Sequence, residues 1–316
     1  MLCALVLAVP AALLLVRLTG ADSGTPLAVP LALFPCTAAL ALLVLVLTAG
    51  VRRLRSWLTA AVALVVVAAQ AWLLVPRFVP DDVRIPPGTA QLRVLTLNTE
   101  AGGADPRAVV ALVRTARIDV LALEQTPAAG LAALDRAGLG DLLPHREAHP
   151  EDDSSIYSRL PLTGAGATDG DTAWPQTTAG VMVGGRTVRL VAVHTYYPLG
   201  DAGRWTRDLD ALAALARREG PDTVFLGDFN ATLDHAPMRR LLAAGLTDTH
   251  AELGEGWAPT WPAGAAPVPP LVQLDHVLHG DGLAGVSVSG HSLPGTDHLG
   301  VLAVLAVLPA NPGDGG

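Results

Sequence analysis

An α/β layered domain behind an all-helical membrane region is the fold this sequence predicts. Three observations predict it: uncharged windows at the start of the chain, strand and helix periods alternating after residue 90, and polar groups closing the strand-like runs. The windows 1–16, 27–49 and 56–75 carry no charge. Crossing a hydrocarbon core of about 30 Å takes ~20 apolar residues as helix, so residues 1–77 read as three transmembrane helices. Buried helices of a soluble protein would need a polar face that these windows lack. A cleaved signal peptide would account for the first window alone, which has no basic n-region and is followed by two more apolar windows.

Orientation follows from arginine. The loop VRRLRS carries Arg52, Arg53 and Arg55, whereas GADSGTP carries only Asp22 after a single Arg17. The arginine loop is therefore expected in the cytoplasm, and the multi-pass chain in the cell membrane with everything after Arg77 extracytoplasmic. Trp57 and Trp72 fall near the two ends of the third window, where an amphipathic indole prefers to sit. Both cysteines, Cys3 and Cys36, lie in the windows, so the outer domain has no disulfide and must be held by its core. That outer part holds 16 of the 21 basic residues, all arginine, against 28 of the 29 acidic ones, a net charge of −12.

Residues 78–90 are rich in proline and glycine and read as a linker. QLRVLTLNTE alternates as a strand; Asp105 before Pro106 is a helix cap, and AVVALVRTAR continues as an amphipathic helix. IDVLALEQ, VRLVAVHT, TVFLGDFN, LDHVLHG and VLAVLAVL read as further strands, with helices at RDLDALAALARRE and PMRRLLAAG. The α/β domain spans 91–308, and 309–316 is expected to be a disordered tail.

The strand ends carry the chemistry. Asn98, Glu124, His194, Asp228 with Asn230, and Asp275 with His276 close or begin these runs, and Asp297 with His298 leads into the last one. Singly, each has a plain structural reading as a turn former, a satisfied imidazole or a solvated strand end. Together they place carboxylates, carboxamides and imidazoles where burial is expensive unless something pairs with them. Oxygen ligands suit a hard ion such as Mg2+ or Mn2+, and the lack of a cysteine set or an HExxH helix speaks against a zinc hydrolase. Such an ion beside imidazoles is what phosphodiester hydrolysis needs.

The order of these motifs, with SRLPL at 158–162, resembles the endonuclease/exonuclease/phosphatase (deoxyribonuclease I-like) superfamily over residues 91–308. The resemblance implies a four-layer sandwich, two mixed β-sheets packed face to face with helices outside and the site at one end. Asp228 and Asn230 would sit at that mouth, with Phe229 turned into the core. Glu124 would be the principal metal ligand, with Asn98 beside it and Asp297 assisting. His298 would be the general base or polarise the phosphate, its ring held by Asp275. Asp228 and Asn230 would position water and a phosphate oxygen, and His194 would stabilise the transition state or protonate the leaving group. Two departures stand out: Thr296 replaces the commoner serine, and Leu299 with Gly300 follow the histidine where many members have Arg-Pro. His276 is expected to be structural, and His145, His149, His235, His250, His279 and His291 are assigned no chemistry.

The expected activity is that of a membrane-anchored, metal-dependent phosphodiesterase acting on a lipid head group, a lipid-linked intermediate or a nucleotide, with no protein partner. An extracytoplasmic nuclease is the alternative, disfavoured because a domain at −12 without lysine is poorly suited to hold nucleic acid, with Arg204 and Arg207 the candidates to reach a phosphate. A catalytically silent phosphate-binding domain is a third reading, against which stands the full set of acidic and imidazole residues. Trp257 and Trp261 are expected in a loop near the mouth or as caps on a core edge.

Overall fold

The computed structural model describes residues 2–51, 56–168, 172–264 and 268–309. Arg52, Arg53 and Arg55, on which the orientation rests, and residues 310–316 of the expected tail lie outside them.

Three apolar helices open the chain: α1 (Leu2–Thr19), α3 (Phe34–Gly50) after the single turn α2 (Ala28–Leu31), and α4 (Trp57–Leu74). The second window is thus broken rather than continuous. Pro35 has no N–H and its ring would clash with the carbonyl four residues back, so it starts a helix instead of continuing one. Leu2–Thr19 and Trp57–Phe78 are long and apolar enough to cross a membrane; Phe34–Gly50 has 17 residues. Their mutual contacts bury Leu7, Leu31, Phe34, Ala41, Val44, Ala63 and Val66. Leu5, Leu15, Val46, Leu64, Val65, Trp57 and Trp72 face outward.

The remainder begins with β1 (Gln91–Asn98), α5 (Pro106–Ala116), β2 (Val120–Glu124), α6 (Ala128–Arg136), α7 (Leu139–Leu142), β3 (His145–His149), β4 (Ser154–Ser158), β5 (Leu162–Ala167), β6 (Thr177–Val183) and β7 (Arg186–His194). It continues through α8 (Pro198–Glu219), β8 (Thr223–Asp228), α9 (Ala236–Leu242), β9 (Thr247–Asp248), α10 (Thr249–Glu252), β10 (Asp275–His279), β11 (Leu283–Ser292) and β12 (Leu299–Val307). Two six-stranded sheets form, ordered β11-β12-β1-β2-β4-β3 and β5-β6-β7-β8-β10-β9. Each is mixed, with β1 parallel to β2 and β7 parallel to β8.

Because alternate side chains of a strand share a face, each central strand sends one row inward and one outward. Leu92, Val94, Val120, Ala122, Leu190, Ala192, Val224, Leu226 and Val277 meet between the sheets. Leu95, Leu97, Leu121 and Leu123 pack outward on α5 and α6, and Val191, Val193 and Phe225 pack on α8 and α9. The result is the four-layer sandwich. α5 forms as its residues dictate: the Asp105 carboxylate accepts from the amides of Arg107 and Ala108, and Pro106 occupies the first turn, where an N–H would be unpaired anyway. α8 starts nine residues earlier than its apolar period, across a non-helical Asp201.

The strands β3, β4, β5, β6, β9 and β11 lie outside the runs picked out in the sequence. β4 is the run SSIYS, buried on both faces, and β5 is the glycine-bearing LTGAGA at a sheet edge.

The apolar helices do not hang from residues 78–90 alone. Asp234, just after β8, receives Arg17 Nε at 2.7 Å and both terminal nitrogens of Arg77 at 3.0 and 2.6 Å. The Asp22 carboxylate accepts the Ala236 amide at the start of α9, and the Gly24 amide donates to Thr206 Oγ1 on α8. His235 takes part through both nitrogens. Nδ1 accepts the Thr232 amide, which leaves Nε2 to donate to the Ala28 carbonyl at 2.9 Å. Burial alone would raise the Asp234 carboxyl, but Arg77 and Arg17 together hold it below its ordinary value. The linker itself is pinned at its start, where the Asp81 amide donates to the Glu252 carbonyl.

Candidate active site

The inward rows end in polar residues at one end of the sandwich. Leu92 and Val94 continue into Thr96 and Asn98, Val120 and Ala122 into Glu124, Leu190 and Ala192 into His194, and Val224 and Leu226 into Asp228. Register then brings them together: Asn98 lies opposite Glu124, His194 opposite Asp228, and Asp228 opposite Asp275. His298 sits one residue before β12, the neighbour of β1. All eight residues singled out in the sequence therefore converge. Gly227 is required in this packing, since a Cβ there would lie 1.9 Å from the Val193 carbonyl oxygen. Phe229 turns away into the core against the edge of the His276 ring.

Asp228 is the hub. Its Oδ1 accepts the Asn230 amide at 2.8 Å and its Oδ2 accepts Asn98 Nδ2 at 3.0 Å. Two imidazoles face that same Oδ2, His194 Nε2 at 3.9 Å and His298 Nε2 at 3.8 Å. Each ring is fixed from behind by a carboxylate, His194 Nδ1 lying 2.8 Å from Asp153 Oδ2 and His298 Nδ1 2.8 Å from Asp275 Oδ2. Asn230, in the left-handed region at φ 48°, donates Nδ2 to the Thr195 carbonyl. Asp297 is half-exposed, accepts Trp261 Nε1 at 2.9 Å, and lies 3.8 Å from His298 Nε2. The Thr296 hydroxyl keeps a function in this place, donating to the Asn98 carbonyl at 2.7 Å.

Glu124 is fully buried. Thr96 Oγ1 donates to Oε1 at 2.9 Å, while Oε2 is buried with no partner, as is Asp275 Oδ1. Burial first, then Asp275 and Asp228, push the Glu124 carboxyl well above its ordinary value, and burial likewise raises Asp228 against the pull of His298. Burial would lower His298, but Asp275, Asp228 and Asp297 outweigh it and hold the imidazole up to about 10. Like-charged carboxylates raising one another, with two oxygens left bare, are a donor set short of positive charge. A hard divalent cation fits it: ligand atoms of Asp228, Asp275 and His298 lie within 4.8 Å of one another, and the unpartnered Glu124 oxygen adds a third carboxylate.

Three supporting residues escaped the sequence reading. Asp153 orients His194; the Trp174 indole stacks on the His194 ring at 5.0 Å and 3°; and Gln176 both donates to the His194 carbonyl and accepts its amide proton. All three lie outside the strands identified from periodicity, and only the clustering of acids in EDDSS hinted at one of them. His276 is bonded at both nitrogens, to Asp248 and the Ala231 carbonyl, away from the mouth. Arg204 is occupied over the Tyr196 ring and with the Ala173 carbonyl. Trp261 borders the site, whereas Trp257 lies beside Arg77 and Asp234 around a separate small cavity.

Comparison with known proteins agrees with the fold. Among solved structures, D. rerio TDP2 in complex with a single-strand DNA product is similar at TM-score 0.56 and 17% identity, covering 68% of this chain and 98% of its own. An endonuclease/exonuclease/phosphatase protein from Beutenbergia cavernae is similar at TM-score 0.54 and 20% identity, covering 70% and 72% respectively. No curated protein matches the chain. The model of the Endonuclease/Exonuclease/phosphatase family, whose members are metal-dependent phosphoester hydrolases, matches residues 95–298, and the chain belongs to that family.

Proposed function

We propose that this chain is a membrane-anchored phosphodiesterase that hydrolyses its substrate with water at the Asp228–His298–His194 centre, using Mg2+ or Mn2+. The observation that carries the proposal is the pair of bare buried oxygens, Glu124 Oε2 and Asp275 Oδ1, beside a fully built His298–Asp275 pair. Glu124, assisted by Asn98 and Asp297, would hold the ion, which would supply Lewis acidity and neutralise charge on the phosphoryl oxygens.

The chain's own groups divide the remaining work. Asp275 fixes Nδ1 of His298, so that Nε2 points at Asp228 and at the space between the two imidazoles. Asn98 and the Asn230 amide fix the Asp228 carboxylate, leaving it to orient water and take its proton. Water oxygen bonds to phosphorus from that side as the bond to the leaving alcohol breaks. His194, held by Asp153 and Trp174, donates a proton to the departing oxygen. Two outward-facing apolar helices, Leu2–Thr19 and Trp57–Phe78, support the anchor, and the arginine count supports an extracytoplasmic domain.

The test is hydrolysis of bis(p-nitrophenyl) phosphate by the full chain with and without Mg2+ or Mn2+, beside plasmid DNA and phosphomonoesters. Metal-dependent release of p-nitrophenolate that falls ~10²- to 10⁴-fold in His298→Ala and Asp228→Ala supports the reading. Turnover that persists in both variants, or a preference for DNA, would overturn it.

A further inference from the structure

The catalytic centre shares its cavity with the apolar helices. This cavity, of about 680 Å³, is bounded on one side by His194, Asp228, Asn230, Asp297 and His298. On another it is bounded by Ala28, Val29, Ala32 and Leu33, from the segment that joins α1 to α3. We infer that the substrate is an amphiphile, a phosphodiester lipid whose apolar chain lies along the Val29–Leu33 wall while its phosphate reaches Asp228 and His298. This rests on the phosphodiesterase reading above and narrows its substrate.

Several observations converge on that occupant. The wall is continuous with the helical bundle, so a chain seated on it leads towards the outward-facing leucines and valines of α1 and α3. Around the cavity, Leu33, Leu199 and Leu271 are 41%, 76% and 38% exposed, apolar surface that an apolar ligand would remove from water. Among the described residues no arginine lines the cavity, the chain has no lysine, and Glu100 and Asp153 line it as carboxylates. A polyanion would find no arginine or lysine there, whereas one phosphate needs only the ion. The wall is also held in place, because Asp234 binds Arg17 at the end of α1, Asp22 accepts the Ala236 amide, and His235 binds the Ala28 carbonyl. It is a built part of the site rather than a neighbour of it.

Alkyl p-nitrophenyl phosphodiesters with methyl, butyl and octyl chains, each below its micellar concentration, test this on the full chain in lipid nanodiscs. We expect kcat/KM to rise about fourfold for each methylene buried, so that octyl exceeds methyl by two orders of magnitude or more. Leu33→Ser and Val29→Ser should each lower the octyl-to-methyl ratio by tenfold or more, and Leu33→Met should keep it. Partition into the disc raises octyl turnover in every variant alike, so a ratio that Leu33→Ser and Val29→Ser leave unchanged overturns the assignment of this wall. Metal-dependent turnover with a flat chain-length profile overturns the inference and leaves the phosphodiesterase reading standing. No turnover of any ester by a metal-bound chain overturns both.

Discussion

His298 and His276 form the same kind of pair in different settings. Each has Nδ1 2.8 Å from a buried aspartate, His298 with Asp275 and His276 with Asp248. Asp275 and His276 are even consecutive, so β alternation sends one to the mouth between the sheets and the other to the opposite face. The second nitrogen separates them. His276 Nε2 is bonded to the Ala231 carbonyl, whereas His298 Nε2 faces Asp228 and Asp297 at 3.8 Å, too far for a hydrogen bond to either. A saturated imidazole can only hold the fold together; one with a free nitrogen beside unneutralised carboxylates can move a proton. His235 sharpens the distinction, since it borders the same cavity as His298 but has both nitrogens bonded.

The largest test of this contrast is kinetic. His298→Ala should lose about three orders of magnitude in kcat on bis(p-nitrophenyl) phosphate, measured per folded molecule. The mirror image is His276→Ala, which strands a buried Asp248 and should destabilise the protein by ~3–5 kcal/mol, read by chemical denaturation, with the remaining folded fraction still active. If His276→Ala abolished turnover in folded protein, bond saturation would not distinguish the two.

Titration gives the next largest effect. With no metal bound, His298 is held up to about 10 by Asp275, Asp228 and Asp297 against its burial. A folded-state value above the unfolded one contributes stability that is full below ~6.5 and fades as pH rises towards 10. Denaturation with EDTA present should therefore show stability falling across that window, and His298→Ala should flatten the profile. Asp248 has the opposite sign, since His276 pulls it down to about 2 despite its burial. Its contribution is present above ~3.9 and is lost as pH falls towards 2, whether or not metal is bound. The smallest effect belongs to His235→Ala, where neutral hydrogen bonds are removed. About 1–3 kcal/mol of stability should go, with kcat on the small soluble diester within a few-fold of the parent.

The central strands and the site were legible for one reason. Their apolar runs are nearly unbroken, so Asn98, Glu124, His194, Asp228 and Asp275 stand out where a run gives way to a polar group. The same rule fails for β4, whose buried run SSIYS is mostly serine, and for β5 at a sheet edge, so apolar patterning gave no sign of either. It fails too for Asp153 and Trp174, whose roles depend on side chains meeting across loops. Asp22 illustrates the limit: in the sequence it is the one acid in a short loop, but folded it anchors the first turn of α9.

The sequence by itself determined which residues face inward, which end each strand is polar at, and which segments are apolar enough to leave water, because these are local properties of spacing and composition. Only the tertiary structure decided that Asp234 would be clamped by Arg17 and Arg77, residues 217 and 157 positions away, and that the turn between two apolar helices would wall the cavity at Asp228 and His298. Those contacts depend on where separate layers come to rest. Packing of the whole core sets that geometry, and no periodicity encodes it.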